Sequence, residues 1–138
     1  MISENPLEPG RLLFAGPVTF ELGVASLDGL PPAGAPEIAF AGRSNVGKSS
    51  LINALVRSQI ARTSAAPGKT RLANFYRVAV EPRPPFFLVD LPGFGYARGG
   101  DAAREEFDAL AAGYFGSRVN DPRFRGVFVL VDSRPAPR

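Results

Sequence analysis

At 138 residues the chain is about one domain long and can bury a single core; with 45% apolar and 21% charged residues it has the balance of a globular protein, not a disordered one. It contains no cysteine and no histidine, which excludes disulfides, thiolate zinc sites, a cysteine nucleophile and the commonest general base. The net charge of +3 is unevenly spread: residues 37–80 hold seven cations against Glu37 alone, a local +6 that suits phosphate ligands, RNA or a plain solvated surface.

The chain begins Met1-Ile-Ser-Glu-Asn-Pro-Leu-Glu8, acidic and without the basic-then-apolar pattern of a signal peptide. No apolar run approaches the roughly 18 residues of a membrane span, so a soluble cytoplasmic protein is expected. Residues 1–36 read as an N-terminal extension and linker. Within them residues 18–22 alternate like a short strand, and Asp28-Gly-Leu-Pro-Pro-Ala-Gly-Ala-Pro36 breaks any regular element.

From Glu37 onward, strand and helix patterns alternate. Residues 38–41 read as a short buried strand, and residues 48–57 as a helix with Leu51, Ile52, Leu55 and Val56 on one face. Residues 62–70 form a loop broken at Pro67-Gly68. A strand follows over 73–80, then a tight connection at Glu81-Pro-Arg-Pro-Pro85, because three prolines continue neither element. Residues 86–89 are another strand and 92–100 a loop.

Asp101 is placed to cap a helix that shares Ala103, Phe107, Leu110, Ala111 and Tyr114 on one face. Residues 127–131 are an uninterrupted apolar strand, the kind found in a sheet covered on both faces. This order predicts an α/β fold over residues 37–138, with its ligand at the C-terminal ends of the strands.

Gly42-Arg-Ser-Asn-Val-Gly-Lys-Ser49 fits G-x-x-x-x-G-K-[ST], the phosphate-cradling loop of nucleoside triphosphate-binding domains. Gly42 and Gly47 permit torsions and close approach that a Cβ forbids. Successive backbone N–H groups then form an anion nest at the start of the next helix. Lys48 offers a compact cation to the β- and γ-phosphates, and Ser49 offers a hydroxyl to Mg²⁺. Average residue usage gives those four fixed positions by chance in on the order of 1% of chains this long.

The strand before Asp90-Leu-Pro-Gly93 ends in D-x-x-G, where the Asp can hold Mg²⁺ through its water shell and Gly93 lets a backbone N–H approach the γ-phosphate. Alone the motif also fits a plain strand-terminating turn; behind a phosphate loop it reads as the second half of the site. Thr70, within Pro67-Gly-Lys-Thr-Arg71, is either a Mg²⁺ ligand or an ordinary surface threonine.

The run Glu37-Ile-Ala-Phe-Ala-Gly-Arg-Ser-Asn-Val-Gly-Lys-Ser-Ser-Leu-Ile-Asn-Ala-Leu55 resembles the EngB (YihA/YsxC) family of bacterial GTPases. So do Thr63-Ser-Ala-Ala-Pro-Gly-Lys-Thr-Arg-Leu-Ala-Asn-Phe-Tyr76 and Asp90-Leu-Pro-Gly-Phe-Gly-Tyr96. The resemblance implies a Ras-like P-loop GTPase fold, a three-layer sandwich around a mostly parallel sheet, with GTP as ligand and Mg²⁺ as cofactor. It also implies a role in assembling the large ribosomal subunit, through rRNA or a ribosomal protein, with a link to cell division and septation. It implies no membrane and no DNA partner.

By the same match, Gly42, Arg43, Ser44, Asn45, Val46, Gly47, Lys48 and Ser49 surround the phosphates. Gly68, Lys69, Thr70, Arg71 and Leu72 form the first switch, and Asp90, Leu91, Pro92 and Gly93 the second. Lys48, Thr70 and Gly93 are the implied catalytic groups; Ser49 and Thr70 ligate Mg²⁺ directly and Asp90 through water. Phe94 stands where many Ras-like proteins carry the water-orienting glutamine, which implies slow intrinsic hydrolysis. Asn45 matches an asparagine that, in related potassium-dependent GTPases, helps coordinate K⁺. Arg62 and Arg71 lie nearby, and no arginine finger is assigned.

The chain departs from the family in one respect. The family continues into [NT]-K-x-D, whose Asp reads the guanine edge, and no such motif occurs in these 138 residues. The expected fold therefore lacks its C-terminal third. Two other functions stay open: a non-cycling fragment that binds phosphate or RNA, and a P-loop ATPase unrelated to ribosomes. An open edge at residues 127–131 predicts self-association, and the missing base-reading Asp predicts nearly equal, weakened binding of GTP and ATP.

Overall fold

The computed structural model of the chain describes residues 6–32, 34–42, 47–57, 60–61, 72–92 and 100–131, the side chains of residues 27 and 100–108 excepted. Strands β1 (Val18–Val24), β2 (Glu37–Gly42), β3 (Ala73–Val80), β4 (Arg83–Asp90) and β5 (Phe124–Leu130) make one sheet, in the order β1-β3-β4-β2-β5. β3 pairs antiparallel with β1 and β4, whereas β2 runs parallel to β4 and β5. Parallel neighbours need crossovers. Helix α2 (Lys48–Val56) follows β2, and α3 (Gly100–Arg118) lies between β4 and β5; a short α1 (Glu8–Leu13) precedes the sheet.

The two-residue side-chain period sorts the core onto two faces. On one, Phe40, Tyr76, Val78, Phe86 and Leu88 pack with Ile52 and Val56 of α2. On the other, Ala39, Phe75 and Val89 pack with Leu110 and Tyr114 of α3. Each fully buried large apolar side chain stabilises the fold by about 1.5–3 kcal/mol. The result is a helix–sheet–helix sandwich around a mixed sheet, the fold class expected from the sequence.

Several boundaries differ from the sequence expectation for identifiable reasons. β1 extends two residues past the predicted 18–22 and pairs along β3 with a bulge at Glu21, so the N-terminal segment contributes an edge strand to the same sheet. α2 stops at Val56, because Arg57 turns left-handed (φ 55°) and its N–H closes on the Asn53 carbonyl. Leu51, predicted on the buried face, lies at the surface; Asn53 takes the buried place beside Ile52 and Val56.

β4 begins at Arg83, so Arg83, Pro84 and Pro85 belong to a strand and not to the connection. Prolines are tolerated there because pairing with β2 starts only at Phe87, and on the β3 side the register skips from Val80↔Arg83 to Val78↔Phe86. α3 starts at Gly100, which puts Asp101 inside its first turn instead of at the cap. Leu110 and Tyr114 are buried as expected and Ala111 is half-buried, while the side chains of Ala103 and Phe107 lie outside the described residues.

β5 starts at Phe124, with Arg125 bulged out before Gly126 (φ 139°). Its apolar run was expected to be covered on both faces. Val127, Phe128 and Val129 are instead 40%, 58% and 58% exposed, and among the described residues no strand pairs with its outer edge.

A buried polar cluster ties β2 to α3. The Arg118 guanidinium bonds both Glu37 carboxylate oxygens (3.1 and 3.3 Å) and the Pro31 carbonyl (2.7 Å), and sits 5.1 Å from the Tyr114 ring centre. The Tyr114 hydroxyl donates to Glu37 Oε1 at 2.8 Å. Glu37 and Arg118 are both buried. This cluster lies at the N-terminal end of β2, away from the phosphate loop.

Candidate phosphate-binding site

The site assembles where β2 hands over to α2. β2 ends at Gly42, and Gly47 immediately precedes α2 in the left-handed region at φ 94°. Among the described residues a Cβ on Gly47 would meet nothing within 4 Å, and the left-handed torsion itself favours glycine there. The Gly47 carbonyl accepts from the Leu51 N–H at 3.0 Å, which opens the helix. Among the described residues no side chain caps this N-terminus, and its first N–H groups and the positive end of the helix dipole are placed to meet an anion.

Lys48 is the first residue of α2, and its ammonium donates to Asp90 Oδ1 at the end of β4, forming an ion pair that is nearly buried at both ends. The register explains the meeting. Asp90 pairs with Phe40 of β2, and the Leu91 N–H continues the ladder to the Phe40 carbonyl at 3.0 Å. Burial pushes the Asp90 carboxyl above its ordinary range, and the Lys48 charge and hydrogen bond oppose that rise. Burial and the nearby Asp90 charge push Tyr76, on the same face, up to about 12.

Ser49 is half-buried at the second position of α2; Leu91 and Pro92 are buried, and Leu72 is half-buried just before β3. Gly42, Gly47, Lys48, Ser49, Asp90, Leu91 and Pro92 thus gather at the C-terminal ends of the parallel strands β2 and β4. Arg43, Ser44, Asn45, Val46, Gly68, Lys69, Thr70, Arg71, Gly93 and Phe94 lie outside the described residues.

Among the described residues no three acidic, histidine or cysteine side chains cluster. A divalent ion beside Asp90 would therefore draw on hydroxyls, water and phosphate oxygens. That donor set suits Mg²⁺, which keeps much of its water shell and takes few protein ligands.

Two asparagines escaped the sequence reading. The buried Asn53 carboxamide brackets Ala61, accepting from its N–H at 2.7 Å and donating to its carbonyl at 2.8 Å, and so pins the chain beyond α2. A polar residue of poor helix propensity between Ile52 and Val56 was the available signal. Asn74, on β3, pairs directly with Asp90. Nothing local in the sequence marks it, because the relation exists only through strand register.

A parallel strand ending at Gly42, a helix opening at Gly47 and Lys48, and Asp90 at the end of the neighbouring strand are the arrangement of an α/β P-loop domain. Residues 37–135 match the model of the family described as "50S ribosome-binding GTPase", and the chain belongs to that family. It is 52% identical over 133 residues to the protein named "Probable GTP-binding protein EngB" of Hyphomonas neptunium, covering 96% of this chain and 58% of that protein. The proteins of the same name from Caulobacter vibrioides and Cereibacter sphaeroides are 47% and 48% identical over 96% and 95% of this chain. Against these three the chain spans 55–58% of the relatives' length. Among the described residues no helix is long and apolar enough to cross a membrane.

Proposed function

We propose that the chain binds GTP with Mg²⁺ and belongs to a slow GTPase acting in assembly of the large ribosomal subunit, with a link to cell division and septation. The observation that carries the nucleotide part is the Lys48–Asp90 ion pair at the N-terminus of α2. One element supplies a cation and free N–H groups for phosphate, and the next supplies a carboxylate for the metal's water shell. The ribosomal part rests on the family and on its relatives' names.

In this reading residues 42–49 enclose the phosphates, with Lys48 on the β- and γ-oxygens. Ser49 and Thr70 ligate the metal, and Asp90 holds one of its waters. Mg²⁺, when bound there, would neutralise phosphate charge. Gly68, Lys69, Arg71 and Leu72 beside Thr70, and Leu91, Pro92 and Gly93 beside Asp90, form the two segments that sense the γ-phosphate. The GTPase unit proposed for residues 37–138 takes its edge strand β1 from the preceding segment. A K⁺ ion beside Asn45 is also proposed, resting on the sequence match alone.

Titration with a fluorescent GTP analogue in Mg²⁺ tests the site. Lys48→Ala should lose most of the affinity, and GTP should compete at least as well as ATP. Unchanged curves for Lys48→Ala would refute the phosphate-loop assignment. Cosedimentation with large ribosomal subunits should depend on whether GTP or GDP is present; equal or absent cosedimentation in both states removes the ribosomal part.

A further inference from the structure

Asn74 lies directly across β3–β4 from Asp90 and directly across β1–β3 from Gly23. Directly opposed residues share a sheet face, with Cβ atoms about 4.5–5.5 Å apart in an antiparallel pair. Its carboxamide thus stands on the α2 face, one strand from the Lys48–Asp90 pair. Asn74 is half-buried, and among the described residues no group hydrogen-bonds its side chain.

The neighbouring strand makes room for it. A Cβ on Gly23 would come within 3.0 Å of both Asn74 Oδ1 and Leu72 Cδ1. Asn74 thus shares its sheet face with the buried Asp90 one strand away, its Oδ1 lies on the Gly23 side, and among the described residues nothing bonds its amide.

That arrangement changes when phosphate arrives. Lys48 now neutralises Asp90, and its single ammonium must serve the phosphates once nucleotide is bound. Asp90 then needs a donor from another side, because a buried carboxylate left short of hydrogen bonds is costly. The group placed to supply it is the Asn74 amide.

We propose that Asn74 is a positioning residue for the metal site: its Nδ2–H₂ donates to the Asp90 carboxylate when Lys48 turns to the phosphates, fixing the oxygen that faces the Mg²⁺ water shell. This rests on the nucleotide-binding reading above. Asn74 touches neither nucleotide nor metal; it acts through Asp90.

The test is binding of a fluorescent guanine nucleotide to the full chain, in EDTA and over a Mg²⁺ titration, for wild type, Asn74→Leu and Asn74→Gln. Leu keeps the approximate volume and removes the donor. Asn74→Leu should keep an unchanged melting temperature without nucleotide, and any loss of nucleotide binding in EDTA should be smaller than the loss in Mg²⁺. Its half-saturating Mg²⁺ concentration should rise on the order of tenfold, the scale of one hydrogen bond to a charged group, and Asn74→Gln should recover most of that. A purely structural role would weaken binding equally with and without Mg²⁺ in step with the melting temperature, and that result overturns the proposal. So does an unchanged Mg²⁺ dependence in Asn74→Leu. A wild-type chain that binds no nucleotide in either condition removes the nucleotide reading, and this proposal with it; a wild-type chain that binds while Asn74→Leu matches it refutes the Asn74 role alone.

Discussion

At the scale of single residues, sequence spacing reveals some groups and hides others. The start of α2 at Lys48 and the glycine at position 47 were legible because both are set by contiguous backbone, a left-handed residue followed by the first turn of a helix. Asn53 was hidden because its partner, Ala61, is reached only after the chain leaves α2. The bracket it makes is strong for one side chain, with both bonds made to buried backbone. Asn53→Ala would leave the Ala61 N–H and carbonyl without those partners, at about 1–3 kcal/mol for a buried unpaired group. Urea unfolding should show a loss of that size. A variant within about 0.5 kcal/mol of wild type, the scatter of a neutral surface change, would mean that water or a shifted backbone replaces both bonds.

At the scale of elements, periodicity found β2 and β3 close to their observed limits and the buried positions Leu110 and Tyr114 of α3, since each element buries a face at a regular interval. It failed at β4, where prolines signalled an ending. Proline breaks a strand only where its missing N–H is required, and that requirement depends on which neighbours pair at which residue. The β2–α3 tie was also invisible, because Glu37 and Arg118 stand 81 positions apart. Arg118→Met should destabilise by about 3–5 kcal/mol, because it strands the Glu37 carboxylate in the interior. Adding Glu37→Leu should recover much of that loss. Additive losses in the double variant would show that the pair is not the unit of stability.

The same cluster makes the element junction alkali-sensitive. Burial, then the bond to Glu37 and its charge, raise the Tyr114 phenol well above its ordinary value of 10.0, against the opposing Arg118 charge. The folded state keeps its proton where the unfolded chain has lost it, so stability is full below pH 10 and falls as pH rises beyond it. Tyr76, pushed up to about 12, contributes over the window from 10 to about 12. Denaturant midpoints measured from pH 8 to 11 should decline only in the upper part of that range, and phenolate absorbance of the buried rings should appear together with loss of helical circular dichroism. Early, reversible titration of all three tyrosines with the fold intact would contradict this.

At the scale of the whole molecule, the described sheet ends in β1 on one side and β5 on the other, and the two edges differ. The β1 edge is a bulged strand that begins beside Pro17, and bulges discourage further pairing. β5 is different. Its apolar run was plain in the sequence, but whether that run is covered depends on what lies against it. Among the described residues only β2 pairs with it, and the Phe40 ring, 5.6 Å away, stacks on Phe128. Val127 and Val129 share one face and Phe128 the other, so neither side of the strand is sealed.

A regular edge of high β-propensity without charge or proline across residues 126–131 is a template for adding another strand. The 138-residue chain should therefore associate in a concentration-dependent way, seen by light scattering behind size exclusion. Val129→Lys, placing a charge on an already exposed position, should suppress association while changing stability by no more than about 0.5 kcal/mol, as surface substitutions do. The same substitution at exposed Leu12, far in sequence from the strand, should leave association unchanged. A monodisperse wild-type monomer at high concentration, or equal suppression by both variants, would show that β5 is not the surface through which chains meet.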